Sequence, residues 1–322
     1  MDDQRRNFLR VCGTFLIGLM TSCLKIGTPK GEASMTNEKK LKMVLGPKEQ
    51  HWVGDGFHVH TLVSPSPELY PSITPFLLMD YAPPSEFKPT SKKLGVGEHP
   101  HRGFETVTFA INGEVEHRDS AGGGGIIGTG DVQWMTAASG LVHEEFHSKE
   151  FAKTGGTFEM VQLWVNLPAN KKMTPPRYQG VKNEQFPRVQ LGEQTTVQVV
   201  AGKCLEKVGP CNTYTDINVF LVDNKLKDSI VLNFKEGTNS LVLVLRGKVF
   251  NEQKPLTEKS LLIYEREGES IKLDLEENTK LLVLNGDPID EPIATYGPFV
   301  MNTREELMQA VEDYQSGKMG YL

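Results

Sequence analysis

The sequence predicts an all-β protein made of two copies of one barrel or sandwich, with a single short helix near its C-terminus. Many short alternating or apolar segments are separated by turns, as is typical of antiparallel all-β folds. Two of them repeat one pattern, because VTFAINGEV at 107–115 resembles LVLVLRGKV at 241–249. At 322 residues the chain is also long enough for two domains.

Residues 1–34 are predicted to be an export signal with its tether, not part of the fold. Arg5 and Arg6 precede an apolar stretch over residues 11–20, which is the order of a twin-arginine signal. A short amphipathic helix with chance arginines is the alternative. The run that ends at Cys23 also resembles a lipoprotein cleavage box. We therefore expect an exported, periplasmic protein, with Cys23 as its candidate membrane tether.

The composition is that of a soluble globular protein, with 24% charged and 38% hydrophobic residues. A net charge of −6 argues against nucleic acid as a main partner, because phosphate binding needs clustered Lys and Arg. No segment past residue 25 is apolar for long enough to span a bilayer. We expect a monomer whose partners are small molecules.

Between the tether and residue 168 the sequence predicts strands bounded by Pro-rich or Gly-rich turns. Residues 105–111 alternate into Asn112-Gly113, a hairpin signal, with residues 114–117 as the returning strand. Further strands are predicted within 42–63, 76–81 and 158–167. Residues 169–179, which include two adjacent prolines, mark the boundary between domains at 41–168 and 178–322.

Strands resume beyond that boundary, and one helix follows them. The strands are predicted at 197–201, 216–221, 240–246, 259–264, 270–275 and 280–285. The helix begins at a capping box formed by Thr303 and Glu306. Its apolar face consists of Leu307, Ala310, Val311 and Tyr314, which predicts that it packs against a barrel.

A metal site is predicted in the first half. His99 and His101 are two residues apart, and so are His143 and Glu145. Residues two apart on a strand point to the same face, so each pair offers two donor groups to one point. Three imidazoles and a carboxylate suit a first-row transition metal and leave positions for outside ligands. All eight histidines lie at or before His147, which favours a site over coincidence.

Two other patterns in this half compete for a role. His58 and His60 form a second pair on one face, but no carboxylate neighbours them, so a solvated strand face is the preferred interpretation. Residues 122–125 are four glycines, and neither a Gly-Lys-Ser/Thr motif nor a helix follows them. We therefore predict a flexible turn there and not a phosphate cradle.

The second half is predicted to lack a metal site. Aligning Gly113 with Gly247 in the repeated pattern puts Asn233 and Lys235 where the first half has two histidines. A lysine at that position would repel a cation. Cys204 and Cys211 bracket a turn in this half, and in an oxidising compartment a disulfide between them is preferred over a metal site.

From about residue 42 onward the chain resembles the pirin family, which are two-barrel members of the cupin superfamily. The motifs that carry the resemblance are HPHRGFETVTFAINGEVEHRDS, GDVQWMTAASGLVHEE, FEMVQLWVNLP and GPFVMNTREE. The family implies two tandem jelly-roll barrels with an iron site in the first. Carried over by position, its ligands are His99, His101, His143 and Glu145, the set that strand geometry indicates.

General cupin patterns would offer Glu105 as the carboxylate ligand. Its spacing to Gly113 is one residue longer than usual, and Ala138-Ser139-Gly140 stands where those patterns have Pro-x-Gly. Because pirins use the carboxylate after the third histidine, we assign Glu145 as the ligand. Glu105 is then predicted to orient an imidazole.

The resemblance implies a dioxygenase as the first hypothesis, since pirin relatives include enzymes that open flavonols such as quercetin. Its cofactor would be Fe²⁺, with manganese, nickel and zinc left open. The partners would be dioxygen and a small aromatic substrate, whose hydroxyl proton Glu145 would take as the catalytic residue. Candidate residues for an apolar pocket, with ordinary core as the alternative, are Phe104, Phe109, Trp134 and Met135.

The second hypothesis is a metal-dependent binding or redox-sensor protein without turnover. Other pirins resemble redox-responsive partners of transcription or metabolic proteins. An exported chain cannot easily regulate cytoplasmic transcription, which weakens that version. Fold resemblance alone does not fix a substrate, so both hypotheses stay open from the sequence.

Overall fold

A computed structural model describes residues 37–251 and 254–322. The predicted export signal, with Arg5, Arg6 and Cys23, lies outside these residues. The described chain is mostly strand, which confirms the all-β prediction. None of the helices in this part is both long and apolar enough to cross a membrane.

The strands are numbered in chain order. In the first half they are β1 Leu41–Leu45, β2 His51–Val53, β3 Phe57–Val63, β4 Phe76–Phe87, β5 Gly95–His101, β6 Phe104–Asn112, β7 Val115–Asp119, β8 Gly124–Ile127, β9 Val132–Thr136, β10 Leu141–His147 and β11 Gly156–Asn166, and the second half begins with β12 Arg177–Val181. The second half continues with β13 Arg188–Gln190, β14 Thr195–Ala201, β15 Lys203–Cys204, β16 Lys207–Val208, β17 Ile217–Asn224, β18 Asp228–Asn233, β19 Asn239–Arg246, β20 Lys248–Asn251, β21 Lys254–Thr257, β22 Leu261–Tyr264, β23 Ser270–Leu275, β24 Lys280–Gly286, β25 Ala294–Tyr296 and β26 Phe299–Met301. The α-helices are α1 Tyr70–Ile73, α2 Lys149–Thr154 and α3 Arg304–Gln315, and short 3₁₀ turns lie at Ala169–Lys171 and Asn183–Gln185.

Each half is built from one seven-stranded and one four-stranded antiparallel sheet. In the first half the orders are β12-β9-β6-β11-β4-β3-β2 and β5-β10-β7-β8. In the second half they are β1-β22-β19-β24-β17-β14-β13 and β18-β23-β20-β21. This pairing of sheets is the jelly-roll arrangement, so the prediction of two tandem copies of one fold is confirmed.

The two seven-stranded sheets share a hydrophobic core. Val107 and Phe109 of β6 belong to the same buried cluster as Leu241 and Leu243 of β19. Because side chains alternate along a strand, the residues between them face the interior of their own half. On β6, Thr108 is such a residue, and it reaches β10 of the facing sheet.

The hairpin predicted at Asn112-Gly113 is wrong. β6 pairs with β9 and β11, whereas β7 pairs with β10 and β8 in the other sheet. The chain therefore crosses between sheets at Gly113, where φ is +83° and a Cβ would lie 2.8 Å from the Phe158 ring. The second half makes the same crossing from β19 to β20 at Gly247, with φ +78°. The repeated sequence pattern thus marks a change of sheet.

The two halves exchange elements at their ends. β1, near the start of the described chain, pairs with β22 of the second half. In return β12 pairs with β9 of the first half, and Arg102 pairs with Phe299 of β26 in an isolated bridge. The segments 41–168 and 178–322 are therefore interlocked.

The predicted C-terminal helix is α3, and its capping box between Thr303 and Glu306 is present. Leu307 and Ala310 are buried as predicted, but Tyr314 is 41% exposed. Asp313 takes the inward position instead, because it forms an ion pair with buried Arg102 at 2.9 Å. On this face of the helix the charged and paired Asp313 thus points inward, in place of the apolar Tyr314.

The predicted disulfide is not formed. Cys204 and Cys211 are both free and both buried. Cys204 packs into the core of the second half, whereas Cys211 packs into the core that the two halves share. Two thiols that face different cores do not meet the geometry of a disulfide.

Candidate metal site

Three histidines converge on the four-stranded sheet of the first half. β5 and β10 pair antiparallel, which sets His99 opposite His143. His101 follows two residues later on the same face of β5. One ring nitrogen of each of the three lies within 4.8 Å of the others. The three histidines proposed from the sequence therefore meet at this point.

Backbone carbonyls fix the protonation of two of these rings. The Nδ1 atom of His99 lies 2.8 Å from the Gly97 carbonyl, and that of His101 lies 3.2 Å from the Pro298 carbonyl. A carbonyl only accepts, so Nδ1 carries the proton in both and Nε2 keeps its lone pair. Nε2 of His143 is buried and has no hydrogen-bond partner among the described residues. His99 and His101 therefore each have an Nε2 lone pair available to a metal, and no described residue occupies Nε2 of His143.

Burial keeps the imidazoles of His101 and His143 neutral. Desolvation, with His99 nearby, lowers the pKa of His101 to about 3. Desolvation and the neighbouring rings of His101 and His99 hold the pKa of His143 well below its usual range. A neutral imidazole is the form that binds metal, since the lone pair must not be protonated.

Glu145 reaches the same region from β10. One of its carboxylate oxygens lies within 4.8 Å of donor atoms of His143 and His117. Its Oε1 accepts a hydrogen bond from Gln133 Nε2 at 2.7 Å, and its Oε2 accepts one from Gln162 Nε2 at 3.3 Å. Thr108 Oγ1 lies 3.2 Å from Oε1.

The three side chains around the Glu145 carboxylate come from one row across the seven-stranded sheet. Gln162 of β11 is opposite Thr108 of β6, which is opposite Gln133 of β9. Their side chains point into the sandwich because all three share one register position. The row holds the carboxylate beside the histidines and satisfies both of its oxygens.

His117 of β7 is a site residue that the sequence analysis missed. Its side chain is fully buried, and its Nδ1 lies 3.3 Å from Nδ1 of His143. Its Nε2 lies 3.1 Å from Oδ2 of Asp119. The sequence does contain an indication of this residue, because His117 and Asp119 are two residues apart on a strand, the same spacing as in the proposed ligand pairs.

The prediction that Glu105 orients an imidazole is wrong. β5 ends at His101, and the chain turns at Gly103, where φ is +89°, before β6 begins. Glu105 thereby faces away from the histidines, accepting a hydrogen bond from Thr136 Oγ1 at 2.6 Å with Arg177 Nη2 3.8 Å away. Burial raises the pKa of this carboxyl to about 7.

A cavity of about 330 Å³ opens beside the site. It is lined by His99, His101 and Glu145, by the polar Asp80 and Gln162, and by Val53, Phe57, Val59, Leu78, Val96, Met160 and Trp164. Its walls are therefore mainly apolar, with the candidate ligands on one side. This combination is typical of a pocket for a small, largely apolar molecule.

The four residues proposed from the sequence to line a pocket lie elsewhere. Phe109 and Trp134 belong to the core shared by the two halves, because alternation sends them to the outer face of their sheet. Met135 packs with Leu141 in a separate cluster. Phe104 packs against His101, with ring centres 5.0 Å apart, but it does not line the cavity.

The competing histidine pair has other contacts. His58 stacks on Trp52 with ring centres 4.6 Å apart, and Nδ1 of His60 lies 2.5 Å from the Lys48 carbonyl. In the second half, Lys235 is exposed and forms an ion pair with Asp287 at 2.8 Å. The groups of potential metal ligands found in the described chain include neither His58 nor His60.

Comparison with known proteins gives matches along most of the chain. The Pirin family model matches residues 56–165, and the model of the pirin C-terminal cupin domain matches residues 221–320. A Pseudomonas aeruginosa protein named "putative quercetin 2,3-dioxygenase" is 48% identical over 281 residues, covering 87% of this chain and 98% of that protein. Mouse pirin is 33% identical over 295 residues, covering 89% and 96%. The crystal structure of a quercetin 2,3-dioxygenase from Acinetobacter baumannii superposes with a TM-score of 0.84 at 49% identity, covering 88% of this chain and 99% of that one.

Proposed function

Because the chain belongs to the pirin family, we propose that it is an iron-dependent dioxygenase that acts on quercetin-like flavonols or related phenolics. The observation that carries the proposal is that His99, His101 and His143 converge, with Glu145 beside His143, next to a mainly apolar cavity that His99, His101 and Glu145 line. The names of the most similar relatives and of the matched crystal structure point to the same substrate class.

The side chains at this site fit a first-row transition metal. Three imidazoles and one carboxylate form a mixed nitrogen and oxygen donor set that suits iron. Nε2 of His143 is buried beside the other two rings without a hydrogen-bond partner among the described residues, and a metal would occupy it. When bound, Fe²⁺ would supply Lewis acidity toward the substrate hydroxyl and the redox chemistry that dioxygen needs.

The protein's own contribution is to hold the substrate and move one proton. Leu78, Met160 and Trp164 offer apolar surface to an aromatic ring and exclude water from the cavity. Glu145 is the group that takes the hydroxyl proton, because its carboxylate lines the same cavity. The hydrogen bonds from Gln133 and Gln162 hold this base in position throughout.

The test is oxygen uptake by iron-loaded protein when quercetin is added, followed together with loss of flavonol absorbance and release of carbon monoxide. Glu145→Gln should lower the rate about 100-fold or more, because it removes the base while keeping the shape. Bound iron is measured in the same samples. Glu144→Gln is the matched control, since Glu144 only pairs with Lys93 and Arg118 near the surface.

Two results would contradict the proposal. The first is no oxygen uptake by iron-loaded wild type over a panel of flavonols and simpler phenolics. In that case the binding or sensor function of the second hypothesis would take its place. The second is equal activity of Glu145→Gln and wild type at equal iron content, which would remove Glu145 as the base.

A further inference from the structure

His143 differs from the other two histidines in what contacts its Nδ1 atom. The Nδ1 atoms of His99 and His101 each meet a backbone carbonyl. That of His143 instead meets Nδ1 of His117 at 3.3 Å, in a region where both rings are fully buried. One of these two nitrogens must carry the proton and the other must accept it.

The contact between Asp119 and His117 determines which of the two Nδ1 atoms carries the proton. Oδ2 of Asp119 lies 3.1 Å from Nε2 of His117. A carboxylate only accepts, so Nε2 of His117 carries a proton. Nε2 of Gln133, which only donates, lies 3.4 Å from Nδ1 of His117, so this Nδ1 is the acceptor. His143 then donates from Nδ1, which leaves its Nε2 unprotonated.

The run of four glycines has a role in this arrangement. Oδ1 of Asp119 accepts from the N–H groups of Ala121 and Gly123, both at 2.9 Å. A Cβ at Gly123 would lie 2.4 Å from Oδ2 of Asp119 and 2.6 Å from Cβ of Tyr178. Only glycine lets the backbone approach so closely. The run, predicted as a flexible turn, thus closes around the carboxylate.

Tyr178 of β12 also holds His117 in position. Its ring stacks on His117 with centres 5.1 Å apart and planes 13° apart. Its hydroxyl donates to Oε1 of Gln133 at 3.2 Å, and Gln133 in turn donates to Glu145. His117 is therefore fixed by stacking as well as by Asp119.

We propose that His117 and Asp119 are positioning residues that set the tautomer of His143 for metal binding. The proposal rests on the metal site put forward above. Asp119 orients His117, His117 accepts the Nδ1 proton of His143, and the remaining Nε2 lone pair is directed to the metal. Groups that orient a ligating histidine in this way typically contribute 10- to 100-fold to metal affinity.

Asp119→Asn is the sharpest variant, because it should reverse the hydrogen bonds. The N–H groups of Ala121 and Gly123 would keep the amide oxygen of the new side chain facing them. Its NH₂ group would then face Nε2 of His117, which must become the acceptor. His117 would carry its proton on Nδ1, and His143 would be forced to protonate Nε2, the atom needed by the metal.

The experiment measures zinc affinity by competition with a chelator and the tautomer of His143 by ¹⁵N NMR, on metal-free and zinc-loaded full-length protein. We expect wild-type His143 to carry its proton on Nδ1. Asp119→Asn should move that proton to Nε2 in the metal-free protein and weaken zinc binding 10- to 100-fold. His117→Phe, which keeps a ring against Tyr178, should weaken binding to a similar extent.

His60→Phe is the control, since this buried histidine contacts a backbone carbonyl outside the site, and it should leave zinc affinity unchanged. Unchanged affinity in both Asp119→Asn and His117→Phe would overturn this inference alone. An Nε2 proton on His143 of the metal-free wild type would overturn it as well. A wild type that carries the proton on Nδ1 yet binds no metal would instead refute the proposed metal site.

Discussion

Glu105 is expected to make the protein less stable as the pH rises from about 5 to 8. Burial raises the pKa of this carboxyl from 4.5 to about 7, so the folded protein holds a proton that the unfolded chain releases in that range. The folded state binds more protons there, so stability falls as pH increases. The difference between the two pKa values corresponds to about 3 kcal/mol. The hydrogen bonds from Thr136 and Trp134 and the charge of Arg177 lower this pKa by less than burial raises it.

Glu105→Gln removes this titration and keeps an acceptor for Thr136. The free energy of unfolding of both proteins would be measured by urea denaturation at pH 4.5 and pH 8. The variant's stability relative to wild type should increase by about 3 kcal/mol between these values. Other titrating groups act equally in both proteins and cancel. The exposed Glu184→Gln should show no such change, and a pH-independent difference for Glu105→Gln would refute the reasoning.

Three further predictions concern the metal, the C-terminal helix and export. Elemental analysis should find one metal per chain, with strong loss in His101→Ala and little change in His58→Ala; two metals per chain would count against the site. Asp313→Ala should lower the free energy of unfolding by about 3 kcal/mol, because it leaves a buried arginine unpaired; an unchanged urea midpoint would contradict this. Replacing Arg5 and Arg6 by lysine should leave unprocessed protein in the cytoplasm, and full export seen on fractionation would disprove a twin-arginine signal.

The sequence predicted those features that depend on spacing along one strand. His99 and His101, like His143 and Glu145, share a face because strand alternation is local, and the repeated pattern at Gly113 and Gly247 marked two copies of one fold. Features that depend on which strands pair were missed. The pattern around Asn112-Gly113 suits a hairpin, yet β6 and β7 find partners in different sheets.

The errors at Glu105 and at the pocket have a similar cause. Because the chain turns at Gly103, residues after the turn present the opposite side to the candidate metal site. The spacing of residues along the sequence does not reveal this change. Phe109 and Trp134 are aromatic residues of the kind that line pockets, but they pack into the core that the two halves share. His117 was passed over because its partner is a carboxylate that does not itself lie among the ligands.

The exchange of terminal elements between the halves has a consequence for synthesis. A growing chain emerges from the ribosome N-terminus first, so His99, His101 and His143 are all available early. The carbonyl that accepts from His101 belongs to Pro298, close to the end of the chain. Strand β12 and the stacking ring of Tyr178 also arrive only after the first half has been made. The candidate metal site therefore reaches its final geometry only after these later residues have been made, and a stop codon before Pro298 would be expected to leave a chain with every proposed ligand and no properly formed site.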